Sequence, residues 1–168
     1  MNTDLNRILL WPVLFTILMV MCACGPLKKV AHTPTAAVHQ ATRSGGELVL
    51  NVTVSADANQ NRPIPVDLAL VSDKKLLKTL AQMPVADWFA KRSQLEADHA
   101  KQLAVKSWEW VPGQAVGPVP VKVAPAVAGG IIFAGYSSPS AKAVLVDNPR
   151  QTLSLAALAD HIELHPAQ

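Results

Sequence analysis

The run Ile8–Gly25, ILLWPVLFTILMVMCACG, sets the conditions under which the rest of this chain must fold. A short polar start with one basic residue, Arg7, precedes an apolar stretch that closes on Ala23-Cys24. That is the layout of a secretory signal, but an ordinary cleavage site needs small residues in an A-x-A-like pattern. Here the large apolar Met21 lies three places before Cys24 and the small Ala23 directly before it, which is the arrangement of a lipoprotein signal. Cys22 fits less well, because the bulky Met21 precedes it. A diacylglycerol on the Cys24 thiol, followed by cleavage and an acyl chain on the new N-terminus, would anchor the protein. Each buried CH₂ contributes about 0.8 kcal/mol, so two or three chains together hold durably. A membrane-spanning helix is the competing reading. It is disfavoured because Ile8–Ala23 is sixteen residues long and interrupted by Pro12, whereas spanning takes about 20.

Cleavage before Cys24 leaves 145 of the 168 residues, enough for one domain with a real core. With Cys22 removed and Cys24 acylated, that exported domain has no thiol for a disulfide, a metal site or a nucleophile. Its stability must come from packing. The net charge of +3 is mild, aromatics are 5%, and no basic cluster is denser than Lys74-Lys75-Lys78. Nucleic-acid binding therefore has no support. Gly25 stands where, in the sorting convention of Gram-negative lipoproteins, an Asp would signal retention at the inner membrane. By that resemblance the expected location is the outer membrane, on its periplasmic face.

Pro26–Gly46 is aperiodic and rich in Ala, Thr, Ser, Pro and Gly. It spans about 25 Å as a coil and up to ~65 Å when extended, and with Cys24 and Gly25 it makes a lipidated tether over 24–46. The domain over 47–168 begins with a clean alternation. Leu48, Leu50, Val52 and Val54 share one face of Glu47–Ser55, a half-buried strand. Ala56–Pro65 (ADANQNRPIP) has almost nothing apolar and is expected as an exposed loop. Val66–Ser72 is a second strand, with Val66, Leu68 and Leu70 on one face. Lys74–Leu80 reads equally as a turn and third strand or as a short helix. Val85–Val105, free of Gly and Pro and rich in Ala, Gln, Glu, Lys and Leu, is expected to be helical, as one helix or as two broken near Ser93.

Strands then return at Ser107–Val111, Val119–Val123, Ile131–Tyr136, Ala143–Asp147, Thr152–Leu155 and Asp160–His165. Pro112-Gly113 marks a turn, and the proline of VPVKV marks an edge strand. Seven or eight short strands at this spacing make the chain mainly β, a two-sheet β-sandwich with a helical insertion at about 85–105.

No phosphate loop, CxxC, HExxH or GxSxG occurs. His161, Glu163 and His165 share one strand face, but same-face neighbours there are about 7 Å apart, a poor fit to one ion. A solvated terminal strand explains them better. Asp98-His99 with Glu96 imitates an acid/base group, yet helix neighbours point apart and no nucleophile is spaced nearby. Trp108 and Trp110 suit core packing more than a binding platform. The loop Ala56–Pro65 stands apart, because it is polar, long for a hairpin and stiffened by Pro63 and Pro65, and loops held by a rigid sheet commonly build binding sites. The sequence thus gives no catalytic residue, no metal site, no cofactor beyond the acyl groups on Cys24 and no small-molecule substrate.

The order of these features resembles the outer-membrane lipoprotein of type VI secretion systems, the TssJ family. Asn59 or Asn61 with Arg62-Pro63 and Pro65 matches the family's Asn and "grp-P" between its first two strands. Ala86-Asp87-Trp88-Phe89 matches its helix motif, Pro112-Gly113 its turn, and Gly130–Tyr136 its Gly-led strand ending in an aromatic. Two places differ: Leu70-Val71 stands for a tyrosine-leucine pair, and Gly135-Tyr136 for a Phe-Arg ending. The resemblance implies a transthyretin-like sandwich with an added helical part, held by lipid to the outer membrane. It implies binding to the periplasmic C-terminal domain of the inner-membrane subunit TssM through the first loop. The residues that fall there are Asp57, Asn59, Gln60, Asn61, Arg62 and Pro63.

Overall fold

A computed structural model describes residues 45–166 of the chain. The signal run, Cys24 and the tether as far as Ser44 lie outside the described residues. The first strand, β1 (Gly46–Val54), buries Leu48, Leu50, Val52 and Val54, the face its alternation marks. Three more strands complete its sheet: β4 (Ala115–Val123), β7 (Thr152–Ala157) and β8 (Ile162–Pro166), in the order β4-β1-β7-β8. β1 runs parallel to β7 and antiparallel to β4. The second sheet joins β3 (Leu103–Trp110), β2 (Ile64–Val71), β5 (Gly129–Ala134) and β6 (Val144–Val146) in the order β3-β2-β5-β6, all antiparallel.

Two cores result. The first lies between the sheets and joins the inward faces of β1 and β7 to Val66, Leu68, Leu70, Ile132 and Trp110. The second lies on the outer side of the second sheet, where two helices cover Ala69, Val71, Ile131 and Phe133. β5 is therefore apolar on both faces with all six residues buried, and β2 is buried on both faces except for the exposed Pro65, with Asp67 its one buried polar side chain. The expected burial of Val66, Leu68 and Leu70 is met, and Asp67, Ala69 and Val71 on the opposite face are buried as well.

Lys74–Ala81 is a helix, α1, which settles the open choice for that segment. Asp73 caps it by accepting the N–H of Leu76 at 2.7 Å, and Leu76 and Leu80, one turn apart, are its buried stripe. The second helix, α2, covers Val85–Asp98, entered from Pro84 and carrying Asp87 in its first turn. The expected helix to Val105 is thus too long. His99 closes α2 through the carbonyl of Leu95, then its own carbonyl accepts the N–H groups of Gln102 and Leu103. The chain is thereby turned into β3, where Leu103 and Val105 pack under the helices as alternate strand residues.

Trp110 is 2% exposed, and both it and the half-buried Trp108 pack in the inter-sheet core, so neither forms a platform. Pro120 lies on the sheet-edge strand β4, as expected for VPVKV, and β4 begins earlier than expected, at Ala115, so that it takes in Pro118 too. The register of β4 against β1 shifts between Leu50 and Val52. Gly117 sits at that shift with φ +120°, and a Cβ there would lie 2.5 Å from the Leu50 carbonyl oxygen. Among the described residues no helix is long and apolar enough to cross a membrane.

Candidate interaction site

The connection from β1 to β2 is built around a left-handed turn. Asn59, Gln60 and Asn61 have φ of 47°, 58° and 59°, a region that non-glycine residues seldom occupy in succession. Each such residue costs about 1–2 kcal/mol, least where a short polar side chain can hydrogen-bond locally. Asn59 supplies that compensation. Its Nδ2 donates to the carbonyl of Pro63 at 3.0 Å, and its Oδ1 accepts the N–H of Ser137 at 2.7 Å. The backbone closes the turn: Asn61 N–H donates to Ala58 O at 2.9 Å, and Arg62 N–H to Asn59 O at 3.2 Å.

The segment is consequently not uniformly exposed, as its composition implied. Ala58 and Ile64 are buried outright, and Asn59 is 5% exposed because its amide is spent inside the protein. Asn59 holds the loop's shape and offers nothing to a partner directly. Asp57, Gln60, Asn61, Arg62 and Pro63 are exposed. Asp57 also accepts a hydrogen bond from the Ser55 hydroxyl.

Three other connections brace this loop. Gly113 in the β3–β4 turn donates to the carbonyls of Val54 and Ser55 at 3.1 and 3.2 Å. In the β7–β8 turn, the Ala159 carbonyl accepts the N–H of Asn59 at 2.9 Å. From the β5–β6 connection, Ser137 reaches Asn59, Gly135 N–H donates to Pro65 O at 2.8 Å, and the Tyr136 hydroxyl donates to the His161 carbonyl at 2.9 Å. Burial, and secondarily the charge of Asp160, push the Tyr136 hydroxyl well above the usual tyrosine range, so it remains a donor. Beside the loop these same residues wall an open apolar groove of about 600 Å³, lined by Pro65, Pro84, Phe89, Tyr136 and Pro139 among others.

The remaining candidates separate as their environments dictate. His161 Nδ1 lies 2.7 Å from Asp160, His161 Nε2 3.4 Å from Glu163, and His165 Nε2 3.7 Å from Glu163. These are exposed pairs in the β7–β8 turn and on the edge strand β8 that follows it, and no cluster of metal-ligating side chains occurs among the described residues. Hydrogen bonds to Asp160, then to Glu163, raise the His161 pKa above its ordinary 6.5. Asp98 accepts from Gln94 at 2.7 Å, and His99 serves as the cap of α2.

One site escaped the sequence reading altogether. Asp67, 1% exposed on β2, accepts from Trp88 Nε1 at 2.8 Å and from Arg92 Nη1 at 2.9 and 3.0 Å. Trp88 in turn stacks on Phe133 with ring centroids 4.3 Å apart. The group fixes α2 to the second sheet. Its only trace in the sequence is an Asp in the middle of VDLALV, opposite the residues that alternation places in the core.

No family model and no curated protein matches the chain. Among solved structures, the chain is similar to the type VI secretion lipoprotein TssJ1 from Pseudomonas aeruginosa, with TM-score 0.57, 15% identity, and 73% of this chain and 98% of that chain covered. It is similar to Serratia marcescens Lip, a membrane-bound component of the type VI secretion system, at TM-score 0.57, 12% identity, and 75% and 99% covered. It also matches a chain in a structure of the type VI secretion protein TssM C-terminal domain from EAEC, at TM-score 0.53, 12% identity, and 72% and 98% covered. The described domain, a two-sheet β-sandwich with two added helices, has the fold of the type VI secretion lipoproteins TssJ and Lip.

Proposed function

We propose that this protein is a divergent TssJ-family lipoprotein of a type VI secretion membrane complex. In this reading residues 1–23 are a signal peptide, Cys24 carries the acyl chains in the periplasmic face of the outer membrane, and 24–46 tether the sandwich. The domain binds the periplasmic C-terminal domain of the inner-membrane subunit TssM through the β1–β2 loop, with Asp57, Gln60, Asn61, Arg62 and Pro63 in contact and Asn59 holding them. The lipid fixes one end of an envelope-spanning assembly and the loop grips the other. Such a role asks for no catalysis, cofactor or small-molecule substrate.

The observation that carries this reading is the fold, matched over nearly the whole length of TssJ1 and Lip. A preformed loop supports the site, since a rigid contact surface loses little conformational freedom on binding. A general ligand-binding lipoprotein on the same sandwich would want Trp108 and Trp110 lining a cavity, and both pack in the core instead. The test is to express the full chain and a Cys24→Ala variant beside the inner-membrane subunit. The full chain should fractionate with the outer membrane, incorporate labelled palmitate and co-purify with the subunit's periplasmic domain. The variant should lose the label and the membrane association. A full chain that takes up no label and retains nothing of the subunit would overturn the proposal.

A further inference from the structure

The groove beside the β1–β2 loop has unusual walls. Pro65 at the start of β2, Pro84 at the entry to α2 and Pro139 in the β5–β6 connection contribute three prolines, with Phe89 and Tyr136 as the aromatic walls. None of its lining residues is charged. Proline carries no N–H, so these walls offer little for a partner strand to pair with, and recognition must come from apolar contact. A small polar ligand is equally ill served, because such sites carry a few converging polar groups that set orientation. Here three of those groups are already engaged: the Tyr136 hydroxyl on the His161 carbonyl, the Ser138 hydroxyl with that of Ser140, and the Ser137 N–H on Asn59.

The groove is also part of the loop's framework. Ser137 on its wall is held by the Asn59 side chain, and the N–H of Gly135 by the Pro65 carbonyl. A protein that grips Gln60, Asn61 and Arg62 therefore meets this groove at a fixed distance and orientation. We propose that the groove is the apolar half of the partner surface. It receives an aromatic or long aliphatic side chain from an extended segment of the same protein that engages the β1–β2 loop. Binding energy concentrates in a few desolvated pockets within a polar rim, and here the exposed loop, joined to the groove through Asn59 and Ser137, supplies that rim on one side. The assignment rests on the loop being the contact for the inner-membrane subunit.

The test measures binding of that subunit's periplasmic domain to the mature chain carrying Ala86→Glu or Pro139→Asp, beside the loop variant Asn61→Ala/Arg62→Ala. Ala86 is exposed in the first turn of α2, where an acidic residue suits the helix, so this variant should keep its urea midpoint. Pro139 is exposed in a loop and provides the second, independent probe. At least a tenfold loss of affinity in both groove variants, with unchanged urea midpoints, is the expected result. Loop variants that weaken binding while both groove variants bind normally would overturn the groove and leave the loop contact standing. A folded wild-type chain that binds nothing would overturn both.

Discussion

Asn59 Oδ1 accepts the backbone N–H of Ser137 at 2.7 Å, joining two connections separated by 78 residues into one surface. The same side chain donates to Pro63 O across the base of the left-handed turn. Replacing Asn59 by Ala removes both bonds, leaves a part-buried N–H unpaired and keeps a residue ill suited to φ 47°. The expected cost is about 1–3 kcal/mol. Asn59→Gly loses the same bonds but tolerates the backbone, so it should be the milder of the two in urea denaturation. Equal losses would show that the turn stores no backbone strain.

The pairing of Asp67 with Arg92 anchors α2 to the second sheet. Removing the partner of a buried charge costs about 3–5 kcal/mol when both are enclosed. Arg92 is 37% exposed in its side chain, so water replaces part of what Arg92→Ala removes. A loss of about 1–3 kcal/mol is expected. Trp88→Phe keeps an aromatic ring against Phe133 and drops only the Nε1 bond to Asp67, and it should be destabilising too. Because both act on one carboxylate, the double variant should depart from additivity in a thermodynamic cycle.

Gly117 in β4 tolerates a side chain poorly. At φ +120° an alanine is strained, and its Cβ would press on the Leu50 carbonyl oxygen of the central strand. Gly117→Ala should lower the urea midpoint, by about 1–3 kcal/mol in stability, whereas Gly113→Ala, with open space around it, should cost less.

The β8 edge should show a pH signature. Hydrogen bonds to Asp160 and Glu163 favour the protonated form of His161, so its pKa in the fold exceeds the ordinary 6.5. The stabilisation from these pairs is then fully present below about 6.5 and fades as pH rises through the higher folded value. NMR titration should find His161 above the ordinary histidine value in the wild type. Asp160→Asn and Glu163→Gln should each bring it down, Asp160→Asn the more, since that bond is the larger cause. An unchanged titration in both variants would mean that the pairs do not form in solution.

The most legible strand in the sequence is β1, which has one face turned to solvent. Leu48, Leu50, Val52 and Val54 alternate against polar residues, and β1 follows directly. Where both faces are buried the period disappears: the helices covering β2 and β5 could not be inferred from VDLALV or GGIIFA. The end of α2 was missed because Leu103 and Val105 suit an apolar helix face and a strand face alike, and only the turn at His99 decides between them. At the site, composition located the loop but not its interior. Asn59 and Asn61 look alike in the sequence, yet one amide is buried and bonded to a residue 78 positions away, and the other is exposed.

The most direct measurement is calorimetric titration of the mature chain with the periplasmic C-terminal domain of TssM, beside the Asn61→Ala/Arg62→Ala variant. Both side chains are exposed, but Asn61 holds φ 59°, so its alanine carries a backbone cost of about 1 kcal/mol. Binding is therefore compared under conditions where the variant's urea curve shows it folded. The account predicts saturable one-to-one binding, weakened at least tenfold in the variant, or about 1.4 kcal/mol. A folded wild-type chain that shows no binding would contradict it.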